Sequence, residues 1–465
     1  MKNRSTAVTM IAVSAVAALT LTGCTSEPEN GETSDEQGIT FWVQEDLPDR
    51  VAATEAIVAD FTEESGIDVE VVSVAEDQFA QLITSSAAAG DLPDVIGGIS
   101  LPQVRTLSAS ELIDTDAVAT VVEDLDPSTF SDKALELTAD GDAQLAVPSE
   151  SWLQMLLYRT DLFEAAGLDA PDSYDKILEA AEALNSPELA GFVGATAPGD
   201  AFTEQTFEQI ALGNDCQLVD SDGEITLDST QCVESFDFYG DLISNYSVPG
   251  AQDVDTTRAT YFGGQAAMFI WSSFVLDEMA GLRNDAKPTC PECAENPAFL
   301  AENTGVVTSI AGPDSDEPAQ FGEITSWTIT DGANATDSQE FIKYMMSDGY
   351  EDWIAIAPEG KVPARFGTPD EPTRYSDVWA TLPAGVDTKA PLSDFYSAEV
   401  LDAVAAGPAN IARWGIPQGQ GDLLGALQGE QPVANAVSEV TQGADPEQAA
   451  TTAAETARSV QESLQ

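Results

Sequence analysis

Five of the seven tryptophans lie in or beside predicted strand ends and loops, where the residues of a ligand-binding cleft are commonly found. They are Trp42, Trp152, Trp271, Trp327 and Trp414. An indole face packs well against the C–H face of a pyranose ring, while neighbouring polar groups bond to the ring's hydroxyls. For each tryptophan alone, packing in a hydrophobic core explains the residue equally well. Trp353 and Trp379 fit core or surface packing better than a cleft.

Polar side chains close to the same positions could hold the hydroxyls of a bound ligand. They are Glu45, Asp46, Glu150, Ser272 and Arg365. A carboxylate or a guanidinium group can bond to two adjacent hydroxyls at once. The chain has 81 acidic residues, so two neighbouring carboxylates are expected by chance, and a two-carboxylate glycosidase remains an alternative to a binding site.

Most residue patterns of enzyme catalysis are missing from the sequence. The chain contains no histidine, which removes the Ser-His-Asp arrangement and most zinc catalysis. It has no G-x-x-x-x-G-K-[ST] loop for a nucleotide phosphate. We therefore expect a protein without catalytic residues, metal or cofactor.

The charge balance is strongly acidic, with 17 basic residues and a net charge of −64 at pH 7. Such a surface repels nucleic acid and anionic lipid head groups, and it disfavours an anionic ligand. The acidic residues are spread along the chain and are not clustered at the spacing of metal ligands. The composition is best explained by solvation in a saline environment outside the cell, where salt screens the repulsion between like charges.

The amino terminus is typical of an exported lipoprotein. Lys2 and Arg4 precede a short apolar run, Ala7 to Leu21, that ends at Gly23 and Cys24. The pattern predicts a signal peptide over residues 1–23, a lipidated Cys24 and a flexible tether over residues 24–38. Two acyl chains on Cys24 would hold the protein at the outer face of the membrane.

Four further cysteines lie in a chain that we expect to be exported, where disulfides persist. Cys216 and Cys232 flank a turn-rich segment, whereas Cys290 and Cys293 form a Cys-Pro-Glu-Cys motif among prolines. That motif could also be a redox pair or half of a zinc site. Two structural disulfides, 216–232 and 290–293, fit the spacing best, although four cysteines allow three pairings.

The first part of the mature chain alternates strands and helices. Strands are predicted at Ile39–Val43, Val69–Val74 and Asp94–Ile96, with amphipathic helices between them. This order is typical of a mostly parallel sheet with helices on both faces, in which ligands lie at the carboxyl ends of the strands. The rule nominates Trp42 to Asp46 and Gly97 to Ser100 as cleft segments.

The stretch from Leu145 to Asn185 predicts a crossover between two bodies. An apolar strand ends at Pro148, a polar loop carries Trp152, and a second strand runs from Leu153 to Tyr158. A helix that ends at Gly167 and a longer helix that begins near Ser173 follow.

The order strand, Pro148, loop, LLYRTDLFEAAGL and SYDKILEAAEAL resembles the extracellular solute-binding proteins of carbohydrate ABC importers, the family of maltose-binding protein. The resemblance covers nearly the whole mature chain. It implies two α/β lobes of the type II periplasmic-binding-protein fold, each a mostly parallel sheet flanked by helices, joined by a hinge. The implied bounds are 39–147 plus 322–357 for lobe 1 and 148–321 plus 358–465 for lobe 2.

The resemblance also implies site residues and partners. Tyr261 to Ser273 is similar to a family segment whose strand end presents an aromatic residue to the sugar, which makes Trp271 the foremost candidate. The segment around Arg365 is similar to the last crossing between lobes. Two positions depart from the family: Arg159 replaces a typical asparagine, and the segment after Pro93-Asp94-Val95 lacks the usual acidic residue.

The function implied by the resemblance is capture of a neutral sugar or oligosaccharide between the lobes, for delivery to the permease subunits of an ABC importer. The expected protein is a monomeric, lipid-anchored binding protein that does not bind nucleic acid. The alternatives are a secreted carbohydrate-active hydrolase and a binding protein for a polyamine or a peptide.

Overall fold

The structure, a computed structural model, describes residues 38–315 and 317–464. The predicted signal peptide, the lipidated Cys24 and the tether up to residue 37 lie outside the described residues. The described strands are β1 (Ile39–Val43), β2 (Val69–Ser73), β3 (Val95–Ile99), β4 (Ala139–Asp140), β5 (Ala143–Gln144), β6 (Val147–Arg159), β7 (Met268–Ser272), β8 (Thr304–Val307), β9 (Gln320–Ile329), β10 (Val362–Pro363), β11 (Pro383–Ala384), β12 (Ala390–Pro391) and β13 (Ile411–Ala412).

Helices cover most of the remaining described chain. They are α1 (Pro48–Ser65), α2 (Glu76–Ala89), α3 (Leu101–Ala109), α4 (Thr115–Asp124), α5 (Asp132–Leu137), α6 (Thr160–Ala166), α7 (Tyr174–Leu184), α8 (Ala201–Leu212), α9 (Thr230–Tyr246), α10 (Val254–Phe262), α11 (Val275–Met279), α12 (Phe299–Glu302), α13 (Ala335–Met345), α14 (Tyr350–Ile354), α15 (Arg374–Trp379), α16 (Ala398–Ala405), α17 (Gly407–Asn410), α18 (Gly421–Leu427), α19 (Pro432–Thr441) and α20 (Pro446–Ser463). None of these helices combines the length and the apolar character needed to cross a bilayer.

The first strands form the predicted parallel edge of the sheet. The strand order is β10-β6-β9-β3-β1-β2, and β1 pairs in parallel with both β2 and β3. The prediction of strand direction needs a correction beyond this edge, because β9 runs antiparallel to β3 and to β6. Strands β7 and β8 are also antiparallel to β6.

The crossover differs from its prediction, since one continuous strand replaces two strands and a loop. Strand β6 spans 13 residues, and a register shift between Pro148 and Glu150 interrupts its pairing with β9. The polar residues from Ser149 to Trp152 remain extended because their backbones pair with β9 on one side and, at Glu150 and Ser151, with β10 on the other. A well-paired backbone thus outweighs the polar character of the side chains.

Left-handed glycines end several helices at the places that the sequence indicates. Gly90 ends α2 and Gly167 ends α6, each with a φ close to +70°. A residue without a Cβ adopts this conformation at little cost. Both predicted disulfides are present, Cys216–Cys232 and Cys290–Cys293.

Candidate functional site

A cavity of about 1170 Å³ lies where the carboxyl ends of β1 and β3 meet the middle of β6, helix α8, strand β9 and the segment after β13. From the segments nominated by sequence, Gln44, Glu45 and Asp46 line it after β1, and Gly98 and Ser100 line it at the end of β3. The volume exceeds the range of about 300–1,000 Å³ that is common for small-molecule pockets. The cavity therefore has room for a ligand of several rings.

The part of the wall that follows β1 contains Glu45, whose side chain bonds to the backbone of the turn in which it lies. One oxygen of Glu45, Oε1, accepts hydrogen bonds of 3.0 Å from the backbone N–H groups of Asp46 and Leu47. The other oxygen lies 3.7 Å from Nη1 of Arg50. Arg50 also reaches Oε1 of Glu359 at 3.4 Å, and its guanidinium carbon lies 5.7 Å above the ring of Phe274.

A second wall joins two chain segments that pair side by side, β6 and β10. Glu150 is 1% exposed and accepts hydrogen bonds from Nζ of Lys361 at 2.7 Å and from the indole N–H of Trp353 at 2.8 Å. The ammonium group of Lys361 lies 3.8 Å from the centre of the Trp353 ring. The ion pair and the indole hydrogen bond supply partners to both oxygens of the buried carboxylate, and the cation–π contact holds those two partners together.

The aromatic surface of the cavity includes Trp152, which is half-buried in β6. Its ring centre lies 6.1 Å from that of Phe321, at an angle of 56°. Successive residues of a strand point to opposite faces, so Glu150 and Trp152 share one face of β6 and both reach the cavity. This pair combines a flat apolar face with a polar group.

Helix α8 contributes two carboxyl groups to the same cavity. Glu204 and Glu208 are four residues apart, which places them on one face of the helix. Burial, followed by the charge of Glu208, raises the pKa of Glu204 to about 8. Burial also raises the pKa of Glu208, although Arg413 opposes this effect.

Arg413, one residue after β13, bridges two acidic residues from different elements. Its Nε lies 3.4 Å from Oε1 of Glu208, and its Nη1 lies 2.6 Å from Oε2 of Glu323 in β9. Its guanidinium carbon is 4.7 Å from the centre of the Phe321 ring. The other oxygen of Glu323 accepts the backbone N–H of Leu101 at 2.8 Å, which ties the start of α3 to the sheet.

On the remaining side of the cavity, Arg258 of α10 pairs with Asp255 at 2.7 Å and with Glu278 at 2.9 Å. Two buried acidic residues, Asp277 and Glu278, lie near this arginine. Burial is the main cause that raises the pKa of Glu278 to about 7 and the pKa of Asp277 well above its usual range. In the described part of the chain, no group of three or more His, Cys, Asp or Glu residues is placed to hold a metal ion.

Four of the ten ligand-binding candidates from the sequence therefore line the cavity: Glu45, Asp46, Glu150 and Trp152. The other six do not line it. Trp42 is 7% exposed and belongs to a hydrophobic cluster with Val74 and Ile96. Ser272 ends β7 opposite Gln154 of β6, away from the cavity wall.

Two of the six lie deep in the core. Trp327 has no exposed surface and packs against Phe41 and Trp353 at 5.1 and 4.9 Å between ring centres. Arg365 is 3% exposed and donates to the side chain of Thr129 and to the carbonyl groups of Met346 and Leu125. Its hydrogen bonds hold loops together, so the expectation that it contacts the ligand needs correction.

The last two lie directly behind cavity residues. The indole N–H of Trp271 donates to the carbonyl of Val254 at 3.0 Å, and its ring supports the guanidinium group of Arg258 at 5.4 Å. The indole N–H of Trp414 donates to the carbonyl of Cys216 at 2.8 Å, while the preceding residue, Arg413, reaches the cavity. In both cases the tryptophan positions the cavity residue beside it.

The sequence reasoning missed several cavity residues, including Arg50, Glu204, Glu208, Glu323 and Arg413. A signal was present for one pair: Glu204 and Glu208 lie four residues apart in a helix, AFTEQTFEQIAL, that has no basic residue to pair with either. Glu323 and Arg413 gave no comparable signal, because they come together only through the pairing of β13 with β9.

Comparisons with known proteins agree with this architecture. The family model of bacterial extracellular solute-binding proteins matches residues 44–352. A protein of Escherichia coli K12 described as an ABC transporter periplasmic-binding protein, YcjN, is 28% identical over 382 residues, which is 80% of this chain and 83% of that protein.

Solved structures show the same fold at lower identity. A sugar transporter protein from Arthrobacter chlorophenolicus with bound laminaribiose has a TM-score of 0.68 at 20% identity, covering 91% of this chain and 99% of that one. The GacH receptor of Streptomyces glaucescens, solved with acarbose, has a TM-score of 0.67 at 18% identity over 91% and 98% of the two chains. Type II solute-binding proteins have two lobes, as the sequence predicts for this chain. The chain therefore belongs to the bacterial extracellular solute-binding proteins, which bind a solute and catalyse no reaction.

Proposed function

We propose that this protein is the substrate-binding component of an ABC-type sugar importer, which captures a neutral sugar or oligosaccharide in the cavity and delivers it to the permease subunits. The observation that carries the proposal is the composition of the wall. It combines the flat face of Trp152 with side chains that can accept from or donate to hydroxyls, such as Glu45, Arg50 and Glu323. The similar solved proteins that hold laminaribiose and acarbose support the same class of ligand.

The arrangement of the charges suits a ligand rich in hydroxyl groups. Most acidic groups of the wall already have a partner within the protein, for example Glu150 with Lys361 and Asp255 with Arg258. A paired carboxylate keeps lone pairs that accept further hydrogen bonds, and its guanidinium or ammonium partner keeps N–H donors. Hydroxyl groups can use both without adding charge to the cavity.

Closure of two lobes on the ligand is part of the proposal. With the predicted lobe bounds, Glu45, Ser100 and Glu323 come from lobe 1, and Glu204, Arg258 and Arg413 come from lobe 2. A ligand that contacts both sides stabilises the closed form in proportion to its preference for that form. The residues at the crossing, Glu150 and Lys361, are joined by a 2.7 Å ion pair close to the expected hinge.

The proposal includes a lipid anchor at Cys24, a position outside the cell on the membrane surface, and a monomeric state. The pattern of the amino terminus, which predicts a signal peptide and a polar tether, supports this anchoring. The two disulfides fit an oxidising compartment. Release from membranes by detergent, together with a mass increase on the peptide that begins at Cys24, would test the anchor.

Calorimetry with a panel of neutral disaccharides, with maltose, cellobiose and laminaribiose first, tests the function. We expect one-to-one binding by at least one sugar, a rise in the melting temperature and an unchanged sugar after overnight incubation. The variant Glu179→Gln, at an exposed position of α7, serves as a matched control, and we expect it to bind as the unmodified protein does. Cleavage of the sugar would support the hydrolase alternative instead, and binding of spermidine or a peptide without any sugar would support the remaining alternatives.

A further inference from the structure

Glu204 differs from the other acidic residues of the wall because it is buried without a partner. The residue is 6% exposed, and it lines the cavity. Its Oε2 atom is buried and finds no hydrogen-bond partner among the described residues. Burying a carboxyl group without a partner is costly, so a native site that keeps one has a use for it.

The charged groups around Glu204 leave it unpaired. Glu208 faces it from the same helix and adds a like charge. Arg413 faces it from the segment after β13, but this guanidinium group already bonds to Glu208 and to Glu323. Glu323 faces the same guanidinium from β9. Arg413 therefore faces three carboxyl groups but is bonded to only two of them, Glu208 and Glu323.

The whole wall has the same imbalance. Seven carboxyl groups and four cationic side chains line the cavity. Arg258 and Lys361 have acidic partners within 3 Å, and Arg50 lies within 4 Å of two. A positive charge on the ligand would be attracted by the remaining acidic groups, whereas a negative charge would be repelled.

We propose that the cavity takes a sugar derivative that carries one basic nitrogen, an amino sugar, and that the carboxylate of Glu204 pairs with its ammonium group. The inference rests on the proposed role as the sugar-binding component of an importer, and it changes the ligand from a neutral sugar to a sugar with one positive charge. Glu204 acts as the residue that distinguishes an amine from a hydroxyl at one position of the ligand. An ammonium group supplies the hydrogen bonds and the charge that Glu204 lacks in the free protein.

The proposal predicts that Glu204 releases a proton when the amino sugar binds, and this release can be measured. Since the pKa of Glu204 is raised to about 8, the carboxyl group of the free protein is mostly protonated at pH 7. An ammonium group bound against it favours the carboxylate, so the proton of Glu204 leaves to the buffer and the amine keeps its own. Binding then gains up to about tenfold in affinity for each pH unit from pH 6 to 7, because close to one proton is released, and the gain becomes smaller as the pH approaches the pKa of Glu204. A neutral sugar releases no proton.

The test uses calorimetry on the full chain, in buffers of different ionisation enthalpy. The probes are maltose, cellobiose and laminaribiose, and derivatives of each in which a single hydroxyl is replaced by an amine, one position at a time. We expect at least one amine to bind roughly tenfold more tightly than its parent sugar at pH 7 and to release close to one proton. The Glu179→Gln control keeps both effects.

Glu204→Gln removes the carboxyl group with little change of shape. We expect this variant to lose the proton release and the preference for the amine over its parent. If the variant does not fold, the pH dependence of binding by the unmodified protein still decides the matter, since an affinity that stays constant from pH 6 to 7.5 overturns the proposal.

The remaining outcomes separate the two proposals. If a neutral disaccharide binds and no amine exceeds its parent, the inference about Glu204 is overturned and the proposed function stands. If an amine binds more tightly but the preference survives in Glu204→Gln, another acidic residue provides the site and the inference is overturned. If neither the neutral sugars nor the amines bind, both the inference and the proposed function fail.

Discussion

Two buried glutamates in the same cavity wall have opposite surroundings. Glu150 of β6 is 1% exposed, and Lys361 and Trp353 satisfy both of its oxygens. Glu204 of α8 is 6% exposed, and its Oε2 atom has no partner among the described residues. The two residues are buried to nearly the same extent. They differ in the hydrogen-bond partners that the protein provides for their carboxyl oxygens.

The comparison separates two kinds of wall residue. Glu150 joins β6 to the segment around β10, and its partners come from the protein itself, so its role is to hold the crossing together. Glu204 has bonding capacity that the protein does not use, which leaves it for a ligand. Substitutions at the two sites should therefore have different effects. Loss of the Glu150 ion pair should lower the stability of the fold, whereas replacement of Glu204 should change the pH dependence of stability and the binding of ligand.

The largest effect is expected when the partner of Glu150 is removed. Lys361→Met keeps most of the side-chain volume but leaves a buried carboxylate without its cation, which typically costs about 3–5 kcal/mol. Urea unfolding at pH 7 measures the loss. The double variant Glu150→Gln with Lys361→Met should recover a large part of it, because no unpaired charge remains.

A matched control for this prediction is Lys176→Met, which removes the exposed ion pair between Lys176 of α7 and Asp172, two residues before that helix. Exposed pairs contribute little because water solvates both partners. Equal destabilisation by Lys361→Met and Lys176→Met would show that the ion pair between Glu150 and Lys361 does not stabilise the fold more than an exposed pair does.

Glu204→Gln is expected to change the pH dependence of stability. The pKa of Glu204 is raised in the folded protein to about 8, whereas an unfolded chain gives a value of about 4.3. Between these values the folded state holds a proton that the unfolded state has lost, so stability falls as pH rises, by up to about 1.4 kcal/mol per pH unit. The glutamine variant lacks this contribution.

From pH 5 to pH 7, the unmodified protein should therefore lose roughly 3 kcal/mol relative to Glu204→Gln. Unfolding midpoints of both proteins over this range check the difference, and the titrating groups that do not interact with Glu204 cancel in the comparison. Parallel pH profiles would mean that Glu204 is ionised and has found a partner in solution.

The local sequence pattern predicts much of the fold but only part of the candidate site. The alternation of apolar strands and helices predicts β1, β2 and β3, and Gly90 and Gly167 mark real helix ends. The continuous strand β6 was not predictable, because the polar run from Ser149 to Ser151 is extended through pairing with distant segments.

The tryptophans show how far the sequence can predict the residues of the cavity. A tryptophan at a strand end can face the cavity, as Trp152 does, or the core, as Trp327 does, and the choice depends on which aromatic rings pack beside it. Trp414 is a further example, because it faces the core whereas the preceding residue, Arg413, lines the cavity. The acids and arginines that meet there come from segments far apart in the chain, so their spacing in the sequence carries little information.

The smallest of the three effects concerns the two indoles near Glu150. Trp353 donates its N–H to Glu150 and is 2% exposed, whereas Trp152 is half-buried with a face on the cavity. Trp152→Ala should weaken binding of a neutral disaccharide about tenfold, which corresponds to about 1.4 kcal/mol, since it removes the surface on which a sugar ring can pack. Trp152→Phe should retain most of the affinity, because an aromatic face remains. Calorimetry measures both variants, and an affinity of Trp152→Ala equal to that of the unmodified protein would mean that the sugar binds in another part of the cavity, such as that around Arg50 and Phe274.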